Sequence, residues 1–308
     1  MVKLAARLIT LLALSGLVVA QSQAQAPTSS SQQPVATQPA GRPPVKTKSQ
    51  AEYQAYQAAI ANAQNPDAMA KAADEFAAKF PDSEVRVLLY RAAMGSYQAN
   101  GNSAKMMDTG LKVLSIDKDD PEALIGVAEV LEEHTSPTDL DREQRGNQAI
   151  ENAAHALKTI DTDLAVPAGT PPEKLEAYKK YLRSTALAIL GTIYYKQENY
   201  SEAEAKLRDS IDADSSNPDP VVILRLALAL DQQKKYQDAL KQANRAVELT
   251  QENTDVGKMA RNERDRLVVQ TGGDNAPGAP PATTPQTPSP QNPPPQKASP
   301  PNPVPPGR

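Results

Sequence analysis

The side chains with which this chain could do chemistry are few and scattered. Its 308 residues include two histidines and no cysteine. His134 follows Glu132-Glu133 at the end of a predicted helix, and His155 stands between alanines on a face that reads as outward. Neither belongs to an HExxH arrangement, and two imidazoles without a thiolate cannot build a multi-histidine metal site. Both are expected to be solvated. The lack of cysteine removes disulfides, thiolate ligands and cysteine nucleophiles together, and with them a lipid-modified cysteine after an export leader. The run DADSSNPD, Asp212 to Asp219, has the carboxylates of a calcium loop. It lacks the glycine at the sixth place, and Ile223 stands where the closing glutamate should be, so it is expected to be a turn between helices. There is no GxSxG elbow, phosphate-cradling glycine loop or dinucleotide fingerprint. The expectation is a protein with no catalytic residue, no cofactor and no metal.

The composition separates a foldable middle from two ends. All ten Tyr and both Phe lie between Tyr53 and Tyr236, and there is no Trp. Aromatic side chains carry large burial payloads, so their confinement marks where a core can form. Residues 1–20, MVKLAARLITLLALSGLVVA, have the parts of a secretory signal peptide: Lys3 and Arg7 as the positive region, then an apolar run from Leu8 to Ala20. That run is shorter than the ~20 residues a bilayer requires, so cleavage is expected after Ala20, or after Ala24 or Ala26. No stable membrane insertion is expected afterwards. The chain should then be exported to the periplasm or outside the cell, and not as a lipoprotein.

Residues 21–50 are rich in Gln, Ser, Thr and Pro, and read as a disordered linker. Residues 271–308 hold 14 of the 28 prolines and read as a disordered, polyproline-prone tail. Of the ionised groups, seven Lys and Arg but only one acid, Asp274, lie outside residues 51–270, which leaves that middle with a formal charge of −10. An acidic folded region repels phosphate backbones, so nucleic acid is not an expected partner.

The middle is repetitive. At a spacing of 34, Tyr56 falls on Tyr90, Ala72 on Met106, Phe76 on Gly110 and Phe80 on Leu114, and Leu124 opens a third copy. Further on, a spacing of 36 sets Leu187 on Ile223, Tyr194 on Leu230, Tyr200 on Tyr236, Ala203 on Ala239, Leu207 on Ala243 and Ile211 on Val247. Each copy holds two helical periodicities split by a polar turn, such as Glu198-Asn199 or Asn100-Gly101-Asn102. Repeat units are predicted at about 53–86, 87–120, 121–161, 171–217 and 220–253, with a capping helix at 254–270. A pair of ~12-residue helices is marginal alone, and stacking gives each apolar face a partner.

Leu190-Gly191, Tyr194, Tyr200, Ala203, Leu207 and the pair Ser210-Ile211 resemble the tetratricopeptide repeat family. The next unit keeps the same kinds of residue at Leu226-Ala227, Leu230, Tyr236, Ala239 and Ala246-Val247. The resemblance, over roughly two thirds of the chain, implies an all-α, right-handed α-α superhelix of about five helix pairs plus the capping helix. It further implies a non-catalytic interaction scaffold whose concave groove takes protein or peptide partners. The alternative is a structural spacer in the envelope, with the proline-rich tail carrying the role. Carried over by position, the groove residues are Gln57, Arg91, Glu129, Glu132, Glu133, Thr192, Tyr195 and Lys196. The Lys/Asn set that clamps a terminal carboxylate in some members is missing, with Gln57, Ala61, Arg91 and Gly95 in its places. The three glutamates would favour a basic partner.

Three local expectations follow. Gly191 or Ala227 should sit where the two helices of a pair cross, against Ala203 or Ala239. TSPTDLDRE should widen the third unit's turn into a loop. Thr170, Pro171 and Glu173 form a capping arrangement for a helix reaching about Gln197, with Tyr178 and Tyr181 on an exposed ridge.

Overall fold

Asparagine and aspartate before a helix, often with proline just inside it, set the phase of this molecule. Asp120 accepts a hydrogen bond from the Ala123 amide at 2.9 Å, and Asp219 from that of Val221 at 2.8 Å, each ahead of a proline that opens the helix. Asn65 and Asn102 cap in the same way, taking the amides of Ala68 at 3.0 Å and Lys105 at 3.1 Å. Such caps satisfy amide donors that a helix start leaves unpaired.

The computed structural model describes residues 42–136 and 138–272. The leader, most of the linker and the proline-rich tail lie outside the described residues. Eleven helices follow in order: α1 (Gln50–Ile60), α2 (Pro66–Lys79), α3 (Arg86–Ala99), α4 (Ser103–Ile116), α5 (Pro121–Glu133), α6 (Arg142–Thr159), α7 (Pro172–Lys196), α8 (Tyr200–Ala213), α9 (Pro220–Gln232), α10 (Tyr236–Glu248) and α11 (Asp255–Gln270). Each helix packs on the next, and the odd-numbered helices also touch one another across the units, from α1 with α3 through to α9 with α11. The result is the all-α array of five helix pairs and a final helix that the periodicity predicted, with the odd helices forming one continuous layer.

Three of the turns inside pairs are built alike. Gly101, Glu198 and Lys234 have φ of 68°, 62° and 63°. In each turn the following amide reaches back five residues: Asn102 to the Tyr97 carbonyl at 2.9 Å, Asn199 to Tyr194 at 2.9 Å and Lys235 to Leu230 at 3.0 Å. This is a left-handed helix stop that satisfies carbonyls at the helix end. Only the first carries the glycine that the conformation favours.

The helix crossing in the fourth unit falls at Gly191, where the nearest contacts are to Leu207 rather than to Ala203. A Cβ built on Gly191 would lie 2.6 Å from Leu207 Cγ and 3.2 Å from the Leu207 backbone nitrogen. Leu207 is fully buried. Ala203, Ala227, Ala239 and Ala246 are buried too, as are Leu190 and Leu207, while Tyr194, Tyr200 and Tyr236 are half-buried at the rims.

Two further departures from expectation lie at the first strap of chain and at the start of α7. Residues 42–49 are not part of a disordered linker but an ordered strap. Arg42 pairs with Asp117, and the Val45 amide donates to the Val166 carbonyl at 3.2 Å. Lys48 Nζ donates to the Asp82 carbonyl at 2.7 Å, and Ser49 caps α1. One side chain explains the misreading: Val45, alone among polar neighbours, is 2% exposed in the core, and a segment's average composition hides it. The second departure is the start of α7. Its N-cap is Pro171, and no side chain caps it. The Thr170 hydroxyl instead donates to the Pro167 carbonyl at 2.7 Å, closing a turn that contains Gly169 at φ 84°. The helix is long, as expected, at 25 residues.

Candidate functional site

The predicted groove residues come from the odd-helix layer, and the structure puts them in very different surroundings. Gln57 is exposed on α1. Arg91 on α3 is buried: Nη1 lies 2.6 Å from Glu122 Oε1, Nη2 donates to the Ala165 carbonyl, and Nε faces Asp120 Oδ2 at 3.6 Å, an ion-pair distance that leaves both atoms without a hydrogen bond. It is therefore no solvated groove residue, because the segment between α6 and α7 lies across it.

The same segment and the first turns of α7 cover α5. Tyr178, expected on an exposed ridge, is half-buried and turned inward beside the Glu122 carboxylate. Burial and that neighbouring carboxylate hold the phenol well above its ordinary pKa. Tyr181 is half-buried one turn later, its ring stacked on that of Tyr178 with centroids 6.2 Å apart. Between α3, α5 and α7 remains a narrow cavity of ≈ 30 Å³ lined by Arg91, Glu122, Glu129, Tyr178, Tyr181 and Thr185. That is room for a single water.

The three glutamates do not form a free acidic patch. Glu129 is buried and accepts from Gln98 Nε2 at 2.7 Å. Glu132 is buried against Lys196, whose Nζ lies 2.7 Å from its Oε1 and also donates to its carbonyl. Glu133 alone is exposed. Thr192 is 2% exposed and donates to its own helix at the Ala188 carbonyl, 2.7 Å away. Tyr195 is half-buried and meets Tyr200 edge-on, with centroids 5.5 Å apart. Sequence reasoning missed Glu122 and the carbonyl of Ala165, and it put Tyr178 on the outside. The one signal for them was the unusual length of α7, which has to cover something.

Burial, reinforced by Glu133 and Glu132, raises the carboxyl of Glu129 from its ordinary 4.5 to about 7. Between these values the folded chain holds a proton that the unfolded chain releases. The stability this contributes is therefore present below pH 4.5 and lost as pH rises through about 7. Urea midpoints are expected to be higher at pH 5.5 than at pH 8, by the equivalent of about 1–3 kcal/mol. Glu129→Gln, which keeps the acceptor for Gln98, should reduce that difference, leaving the share of Glu122, whose carboxyl burial also raises to about 7. Equal pH dependence in the variant would remove Glu129 as its source.

His134 is exposed, as expected, whereas His155 is half-buried with Nε2 2.9 Å from Asp119 Oδ1. The Asp212–Asp219 run is a turn: the Ser216 hydroxyl donates to Asp214 at 3.0 Å, and Asp219 caps α9. Among the described residues no group of three or more His, Asp or Glu could hold a metal ion, and no helix is long and apolar enough to cross a membrane.

Further along the layer, α9 is buried over Val221–Leu224, Leu226, Ala227, Ala229 and Leu230, but Arg225 and Leu228 are half-buried and Gln232 is exposed. This stripe, with Tyr195 of α7, continues the odd-helix face beyond the covered part. Arg225 and Lys196 both bring positive charge near Glu133.

Fold and face together define an all-α protein of consecutively packed helix pairs, a helical-repeat array. No known family profile matches the chain, and no curated protein does. Among solved structures it is similar to a thermophilic TPR protein of Thermus thermophilus, at 12% identity over 69% of this chain and 98% of that one, with a TM-score of 0.44. It is also similar to Acl4, the assembly chaperone of RpL4 (residues 1–338), at 14% identity over 72% of this chain and 98% of that one, with a TM-score of 0.38.

Proposed function

We propose that this chain is an exported, non-catalytic scaffold that holds a protein partner against the odd-helix face. One observation supports the reading most: the layer already holds an extended stretch of polypeptide. Leu164, Ala165 and Val166 are buried on it, and Arg91 binds a backbone carbonyl within it. A surface able to hold its own chain in this way has the chemistry to hold another.

The part of the layer best disposed for a partner is the stripe Tyr195, Arg225, Leu228 and Gln232, beside Glu133. It offers an aromatic ring, an aliphatic side chain and charges of both signs. The case for a basic partner rests on Glu133, since Glu132 is committed to Lys196 and Glu129 to Gln98. Export is supported by the leader at residues 1–20.

The test is affinity capture from a cell-envelope fraction. The bait is the full chain as expressed with its leader, and its intact mass reports whether Gln21 has become the first residue. A protein retained by this bait is expected to be lost when Tyr195→Ser, Arg225→Glu and Leu228→Ser are combined. Equal retention by the triple variant would remove the stripe from the reading.

A further inference from the structure

The segment joining α6 to α7 is unlike the other connections. It is twelve residues long, from Ile160 to Pro171, and it runs extended across the helices of earlier units. Leu164, Ala165 and Val166 are 4%, 1% and 6% exposed, in contact with apolar side chains of two separate clusters. Its backbone is held from both sides: Arg91 donates to the Ala165 carbonyl, and the strap's Val45 amide donates to that of Val166. The bridge between Val45 and Pro167 runs parallel, as two neighbouring strands would.

This is how an extended peptide sits in a binding groove: main-chain bonds hold it, and pockets receive side chains. We propose that the α3–α5–α7 groove is a peptide site whose resident occupant is the chain's own Leu164–Pro167 segment. In its place the groove takes an extended partner peptide of the same chemistry, an uncharged stretch of Leu-Ala-Val type ending in proline. The proposal rests on the scaffold reading and gives it a ligand class.

The groove selects for that chemistry. Arg91 needs a backbone carbonyl, since its remaining contacts are already made with Glu122 and Asp120. Leu164 and Val166 belong to one buried apolar cluster with Leu182 and Ile189, which offers no counter-charge for an ionised side chain at those positions. Ala165 is 1% exposed, so a larger side chain there would collide. Competition is set by the tether. A segment joined to its site by short connections acts at an effective concentration on the order of mM, so a free peptide meets a largely occupied groove in the unmodified chain.

The probe is a fluorescein-labelled peptide copying residues 161–169, with a scrambled peptide as control. In the full chain, Leu164→Ser with Val166→Ser weakens the resident and leaves every groove residue in place. The variant is expected to bind the copied peptide at least ten-fold more tightly than the unmodified chain, and the scrambled peptide no better. Binding equal to that of the unmodified chain, or equal for both peptides, overturns the proposal. Hydrogen exchange of the unmodified chain decides the matter even if the variant does not fold. The Val45 amide, which is bonded to the Val166 carbonyl, should exchange by a local opening, well before the amides of α3 and α5. Exchange at the same rate as those helices would make the segment fixed core and overturn the proposal. The capture experiment reads Tyr195, Arg225 and Leu228, so either test can fail while the other stands.

Discussion

Gly191→Leu is expected to lower the melting temperature of the array sharply, with a loss of about 1–3 kcal/mol or more from overpacking. The reason lies in two distances. The position a Cβ would take is 2.6 Å from Leu207 Cγ and 3.2 Å from the Leu207 backbone nitrogen. Rotating Leu207 relieves the first contact, but the second involves main chain, so α7 and α8 must separate. Leu207 has no free space to rotate into, because it is fully buried among Ala203, Leu226, Leu230 and the other residues of its cluster. Gly191→Ala should already destabilise the chain, by less. Thermal unfolding followed by far-ultraviolet circular dichroism checks both, and Gly110→Ala offers a graded comparison. There the nearest atom to a new Cβ is a side-chain carbon, Val127 Cγ2, at 3.0 Å. A melting curve for Gly191→Leu that matches the unmodified chain would mean that α7 and α8 can part here without cost.

That crossing was legible in the sequence as a small residue recurring at the repeat spacing, although its partner was not. Periodicity fixes which face of a helix is apolar, but not which of two residues one turn apart meets the glycine. The turns show the same limit. Asn100-Gly101-Asn102 announces a left-handed residue, whereas Glu198 and Lys234 adopt the same conformation at φ 62° and 63° with no residue that favours it. They are held there by the helices on either side, which local propensity cannot express. The groove was the least legible part. Family position placed Arg91, Glu129, Glu132 and Thr192 on the right layer of helices, and then treated that layer as open. What closes it lies far along the chain: Ala165 is 74 residues from Arg91, and Lys196 is 64 from the carbonyl it binds at Glu132. Tyr178 and Tyr181 were placed correctly on one face of α7. Their exposure was misjudged because nothing local shows that α7 leans back over α5.

The closed and open parts of the layer therefore differ in kind. Around α3 and α5 the polar groups are largely buried and paired by charge with one another, so substitutions there act on folding first. Along Tyr195, Arg225 and Leu228 the side chains are half-buried, and charge changes are tolerable. A charge reversal that was meant to probe a partner, such as lysine at Glu129 or Glu132, would instead put a cation into buried space beside Gln98, or opposite Lys196. It would report stability, not recognition.

Arg91 is where stability and the covered groove meet, and Arg91→Met is expected to be among the most damaging single changes in the chain. Methionine keeps much of the volume but leaves Asp120 and Glu122 without their cation. Asp120 is fully buried, and its remaining bond is the 2.9 Å cap to the Ala123 amide. Removing one partner of a buried ion pair costs about 3–5 kcal/mol, because the other charge stays behind unmatched. Glu122 has a partial escape. Burial already raises its carboxyl, and Arg91 is the main group pulling it back down. In the variant that carboxyl should rise further and take up a proton. A raised carboxyl stabilises the fold at pH values below its folded pKa, and the contribution disappears as pH climbs through it. The loss caused by Arg91→Met should therefore be larger at pH 8 than at pH 5.5. Adding Glu122→Gln, which removes one stranded charge, should restore part of the stability at pH 8 and little at pH 5.5. Urea unfolding of the three proteins at both pH values reads this directly. A loss that is the same at both, with no rescue by Glu122→Gln, would show that Arg91 works through its bond to the Ala165 carbonyl and not through the carboxylates.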